Sequence, residues 1–123
     1  MIFKSLIGNC VFFIALLIAG CLQPSNGANE PINRHENHLI YTRHAKCRMD
    51  CRHINEAEIK EILEKGDINY AKSEPNGYPD PKYALDGYTV EGQHLRIVFA
   101  TSKKGLIVIT CIELGVEWQC DCN

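Results

Sequence analysis

Four cysteines constrain this 123-residue chain more than any other feature: Cys47 and Cys51, separated by three residues, and Cys120 and Cys122, separated by one. The stretch around the first pair, HAKCRMDCRHI from His44 to Ile54, reads as about three turns of helix. At ~100° per residue, His44, Cys47, Arg48 and Cys51 share one face, while Ala45, Met49 and Arg52 line the adjoining one. Helical residues at i and i+4 hold their Cβ atoms ~5–6 Å apart, whereas a disulfide wants ~3.8 Å, so Cys47 and Cys51 do not bridge each other. In an extended tail, Cys120 and Cys122 sit ~6.5–7 Å apart and point the same way. One of the three pairings of four cysteines is thereby removed, and each helix cysteine is expected to reach one tail cysteine.

The alternative use of the same side chains is zinc. Four thiolates, or three with the His44 imidazole, make a proper ligand set. The short knuckle with two intervening residues is absent, however, and an exported chain favours oxidation. Disulfides are the preferred reading, zinc the alternative and free buried thiols a third. Cys111 lies inside an apolar strand and reads as a plain buried thiol.

The N-terminus points to export. Met1 to Gly20 carries one basic residue, Lys4, ahead of the apolar run CVFFIALLIA, a pattern of secretory signals and too short to span a membrane. It ends Ile18, Ala19, Gly20, Cys21, which resembles a bacterial lipobox, with Cys21 lipidated to become the first mature residue. More than one acyl chain gives stable anchoring. Leu22 after the cysteine favours the outer membrane over the inner, facing the periplasm. Residues 21–38 then form a flexible tether, rich in Pro, Gly and Asn, and residues 39–123 a small α+β domain.

Without Lys4, 12 of the 13 basic residues face 15 acidic ones, a net −3 with neutral histidines. No strong field for polyanions results, although Arg43, Lys46, Arg48 and Arg52 cluster locally, as snorkelling side chains of a solvated helix face also do.

A second helix has a complete local signature. Asn55 is its N-cap, Glu58 the capping-box partner, Ile54 with Ile59 the staple, Ile59, Ile62 and Leu63 the buried stripe, and Gly66 the stop. Beyond it the period changes to two. Strands are expected at Ile68 to Lys72, Tyr83 to Val90, His94 to Ala100 and Leu106 to Leu114, with a loop from Glu74 to Pro81. LIVITCIEL, apolar on both faces, reads as a central strand. The expected fold is α+β: two N-terminal helices packed on an antiparallel sheet of three to four strands, with a cysteine-stapled C-terminal tail.

His44, Ala45, Arg48, Met49, Arg52 and Ile54, in that spacing, followed by a helix and by strands LRIVFA and LIVIT, resemble a bacterial family catalogued as domain of unknown function 4258. The similarity spans roughly Leu39 to Leu114. That family is associated with the ribonuclease-toxin fold of RelE and barnase-like domains, which implies helices on an antiparallel sheet. The resemblance further implies a phosphodiester-cleaving site. His44 would transfer the proton, Arg48, Arg52 and Arg96 would neutralise the phosphorane, and Thr110 would offer a hydroxyl. In the plainer reading His44 packs the first helix and the arginines form structural ion pairs. Three functions are open to such a chain: a non-catalytic, disulfide-stapled envelope module that binds a protein partner, which we favour; an RNA-cleaving domain or its inactive relative; and a zinc-binding module.

Overall fold

A computed structural model describes residues 30–122. The expected signal sequence and lipobox, with Cys21, lie outside the described residues. The chain divides after Pro31, and its second unit runs from Ile32 onward. The elements of that unit are β1 (Leu39–Tyr41), α1 (Arg43–Arg52), α2 (Glu56–Lys65), β2 (Asp67–Glu74), β3 (Lys82–Tyr88), β4 (His94–Ser102) and β5 (Gly105–Glu113).

The sheet is five-stranded and mixed, in the order β1-β5-β4-β3-β2. This overturns the expected antiparallel sheet of three to four strands preceded by two helices. β1 comes before both helices and pairs in parallel with β5, Leu39 opposite Leu106 and Tyr41 opposite Val108. Three residues are too few to show a period of two, so nothing local in LIY announces a strand. Its consequence is large. With β1 on one side and β4 on the other, LIVITCIEL is an interior strand, paired with β4 along its length and with β1 at Leu106 to Val108. The remaining pairs, β2 with β3, β3 with β4 and β4 with β5, are antiparallel.

Alternation along the strands separates the two faces. Leu85, Ile97 and Cys111 pair across three strands and join Ile59, Ile62, Leu63 and Ala45 in one buried cluster, which places the helices on that face. Ala84, Val98 and Thr110, and likewise Asp86, Arg96 and Ile112, pair across the opposite face. A register shift between Val98 and Phe99 adds one residue to β5, so Val108 and Cys111 both face the helices although three positions apart.

The two helices dock by different means. α2 buries Ile59, Ile62 and Leu63 and opens with the expected capping box: Asn55 Oδ1 accepts from Glu58 N at 2.9 Å, and Glu58 Oε1 from Asn55 N at 3.0 Å. Gly66 stops it, but with an extended backbone (φ −69°) rather than a left-handed one. Glycine is needed there for space, since a Cβ would fall 2.6 Å from the Ile62 carbonyl oxygen. Gly87 of β3 makes the matching approach, its own Cβ position 3.2 Å from Gly66 Cα. Arg34, within the stretch read as a tether, donates through Nη1 to the Leu63 carbonyl at 3.1 Å and to that of Gly66, a cation closing the C-terminal end of α2. Ile32 from the same stretch is buried in the core.

α1 buries only Ala45 and Arg52. Its start is fixed by Thr42, whose hydroxyl oxygen accepts from Ala45 N at 3.0 Å while the hydroxyl donates to the Ile109 carbonyl at 3.1 Å. Its end turns on His53 in the left-handed region (φ 54°), with Ile54 N donating back to the Met49 carbonyl at 2.9 Å.

Candidate functional site

The tail after β5 runs back along α1 and is fastened to it twice. Cys47 is bonded to Cys122, with Cα atoms 5.7 Å apart, and Cys51 to Cys120, with Cα atoms 5.9 Å apart. The helix-to-tail pairing expected from helical and extended geometry is the one observed. Sulfurs joined in pairs offer no thiolates, so the alternative zinc set of these four cysteines with His44 is not assembled in this form. Cys111 is the free cysteine of the described chain, fully buried, and burial pushes its thiol up to about 11 against the pull of Arg52 and Arg48.

His44 stands beside the first bond. Its Nδ1 lies 3.0 Å from the Cys122 carbonyl oxygen. A carbonyl only accepts, so Nδ1 carries the hydrogen and a neutral ring keeps its lone pair on Nε2. Arg43, His44, Cys47, Asp121 and Cys122 line a depression of about 490 Å³. Asp121 was not singled out from sequence. Its placement between the two tail cysteines is the one signal that would have drawn it in.

The other residues implied by the ribonuclease resemblance are dispersed. Arg52 reaches under the helix and donates through Nη1 to the Cys111 carbonyl, at 9% exposure. Burial, then the neighbouring Arg48 charge, lowers its proton affinity from the ordinary guanidinium value. Arg48 is half-buried on α1, and its Nε is shielded from solvent without a hydrogen-bond partner among the described residues. Arg96 points from the far face of the sheet. There it grips Asp86 with two bonds, Nε to Oδ1 at 2.8 Å and Nη2 to Oδ2 at 2.9 Å. Asn69 Nδ2 adds a third bond to that carboxylate at 3.0 Å. The Arg96 bonds, and then that of Asn69, hold the Asp86 carboxyl below its ordinary range although burial opposes them. Nothing local marked Asp86, because its partner is ten residues away across a hairpin. Thr110 is on that far face too, two positions from the residue that pairs with Arg96.

Among known proteins, the match is to a family rather than to an individual. The chain belongs to the family described as Domain of unknown function (DUF4258), whose family model matches residues 41–113, more than half of the chain. No curated protein and no solved structure matches it. The matched region begins in β1 and ends with β5. Both helix cysteines lie inside it and both tail cysteines beyond it, so each disulfide joins the family domain to sequence outside the match.

Proposed function

We propose that this domain is a non-catalytic, disulfide-stapled interaction module of the cell envelope. In this reading it is anchored through lipidated Cys21, on the periplasmic side of the outer membrane, and binds a protein partner. The observation that carries the reading is the dispersal of the residues a phosphodiesterase would need. His44 stands against the tail with Nδ1 on the Cys122 carbonyl, Arg52 is spent on the Cys111 carbonyl beneath the helix, and Arg96 is clamped on Asp86 on the other side of the sheet. A general base and its charge-neutralising partners have to converge on one reacting atom. The disulfides agree with an oxidising compartment, and the mildly acidic balance gives no pull on RNA. Kinship with RelE and barnase-like ribonucleases remains the competing reading.

Purified, oxidised mature protein incubated with RNA is therefore expected to give no cleavage above background, and His44→Ala to act chiefly by lowering the melting temperature. Cleavage at catalytic protein concentrations, abolished in folded His44→Ala and Arg48→Ala variants, would make the ribonuclease reading the better one. Anchoring has its own test: normal acyl labelling of Cys21→Ser would sink it.

A further inference from the structure

The geometry points to the Cys47–Cys122 disulfide as a thiol-exchange site that captures a small thiol on Cys47, with His44 handling the proton. This goes beyond the proposed function and does not depend on it.

The two staples differ in their surroundings. Cys47 is half-buried and Cys122 is 9% exposed, and both line the 490 Å³ depression together with His44, Arg43 and Asp121. A depression of that volume is of small-molecule size. Cys51 and Cys120 are both half-buried and line no part of it, so the first bond is set apart by the depression and not by exposure. The imidazole nearest to the Cys51–Cys120 bond in sequence, His53, is packed edge-on against Trp118, ring centroids 5.4 Å apart. Of the two staples, the first therefore combines a disulfide whose two cysteines line this depression with an imidazole in the same wall.

The chemistry depends on which sulfur can be approached. An incoming thiol gives its proton to His44 Nε2, the ring nitrogen left with a lone pair, and its sulfur attacks Cys47 Sγ. The Cys47–Cys122 bond breaks, and its electron pair leaves on Cys122 Sγ, which takes the proton back from His44. The products are a mixed disulfide on Cys47 and a Cys122 thiol. No other oxidant or reductant enters, because exchange conserves the number of disulfides. His44 also holds Cys122 by its carbonyl, so the leaving residue is kept near the group that protonates it. Arg43 and Asp121 give the depression one cation and one anion, which suits a thiol bearing both a carboxylate and an ammonium group, such as glutathione.

Cys51–Cys120 remains closed in this scheme and keeps the tail on α1, so capture is a local event in a folded protein.

The experiment treats oxidised full-length protein with limiting glutathione, alkylates the thiols that appear at timed intervals and maps each cysteine by mass spectrometry. Glutathione is expected on Cys47 and the alkyl group on Cys122 before Cys51 or Cys120 is modified. In His44→Gln the opening of this bond is expected to slow at least about ten-fold, while Cys51–Cys120 opens at its unchanged rate. Equal opening of both bonds, prior opening of Cys51–Cys120, or an adduct on Cys122 overturns the proposal. So does an unaltered rate in a folded His44→Gln. The order of opening in the unsubstituted protein decides the matter even if that variant does not fold.

Discussion

The two helices are the same length, ten residues each, and are held to the sheet by nearly opposite means. α2 docks through a run of buried aliphatic side chains, with a capping box, acidic residues in its first turn and Lys65 in its last. It is a helix that its own sequence specifies. α1 has almost no apolar stripe, no acidic residue in its first turn and two arginines among its inward or half-inward positions. It is retained by two covalent bonds to the tail, by the Thr42 cap tied to β5 and by the Arg52 bond to the Cys111 carbonyl. Hydrophobic docking is distributed and survives the loss of any one side chain in part. Covalent docking is concentrated, and its loss falls on one helix.

The largest effect expected from that difference is non-additive. In the chain-entropy account, a first disulfide spanning 69 or 75 residues contributes about 4 kcal/mol. The second then closes a ring of only about eight residues and adds roughly 2–3 kcal/mol. Opening either bond alone, as Cys47→Ser with Cys122→Ser or Cys51→Ser with Cys120→Ser, is thus expected to cost about 2–3 kcal/mol. Opening both costs on the order of 6–7 kcal/mol, comparable with the whole stability of a small domain. Denaturant melts of the two double variants and the quadruple variant measure this. A quadruple loss equal to twice the double loss would mean that the staples act independently.

Next in size are the side chains beneath each helix. Ile62→Ala removes a fully buried side chain from the α2 interface and is expected to cost about 2–5 kcal/mol. Arg52→Ala leaves the Cys111 carbonyl short of a buried charged donor, a loss of roughly 2–3 kcal/mol. Met49→Ala, from a partly buried position on α1, is expected near 1 kcal/mol. If Met49→Ala proved as damaging as Ile62→Ala, the contrast between the helices would fail.

Much of this architecture was legible wherever the deciding interactions are short-range. The α2 signature works within a few residues, so Asn55, Glu58, Ile59, Ile62 and Leu63 could each be assigned a role from the string alone. Gly66 was placed correctly as the stop for a reason that needed coordinates: crowding against Ile62 and Gly87 rather than a left-handed turn. The disulfide pattern was legible because helix and tail geometry leave few options. β1 was not, since a three-residue strand acquires its identity from β5, more than sixty positions away. The mixed sheet was missed with it. For the candidate site, His44 and the four cysteines were found by spacing. The carbonyl partners of His44 and Arg52, the Arg96 clamp on Asp86 and the capping of α2 by Arg34 have no local trace.

The smallest expected effect lies at the end of α1, where the contrast with α2 is sharpest. α2 ends on a glycine in an extended conformation, whereas α1 ends on His53 in the left-handed region that glycine enters without cost. Histidine is among the residues seen there more often, but it still carries part of the ~1–2 kcal/mol left-handed penalty. Its ring offsets this by packing edge-on against Trp118, a contact of about 0.5–1.5 kcal/mol by analogy with aromatic pairs. The two contributions separate by substitution. His53→Ala keeps the penalty and loses the ring, and is expected to destabilise by about 0.5–1 kcal/mol. His53→Gly loses both, and is expected to lie within about 0.5 kcal/mol of the parent. A shift in Trp118 fluorescence common to both variants would report the lost ring contact, while a melting difference between them would report the backbone alone. Equal melting of the alanine and glycine variants would show that the left-handed cap stores no strain and that α1 ends where its staples, not its backbone, require.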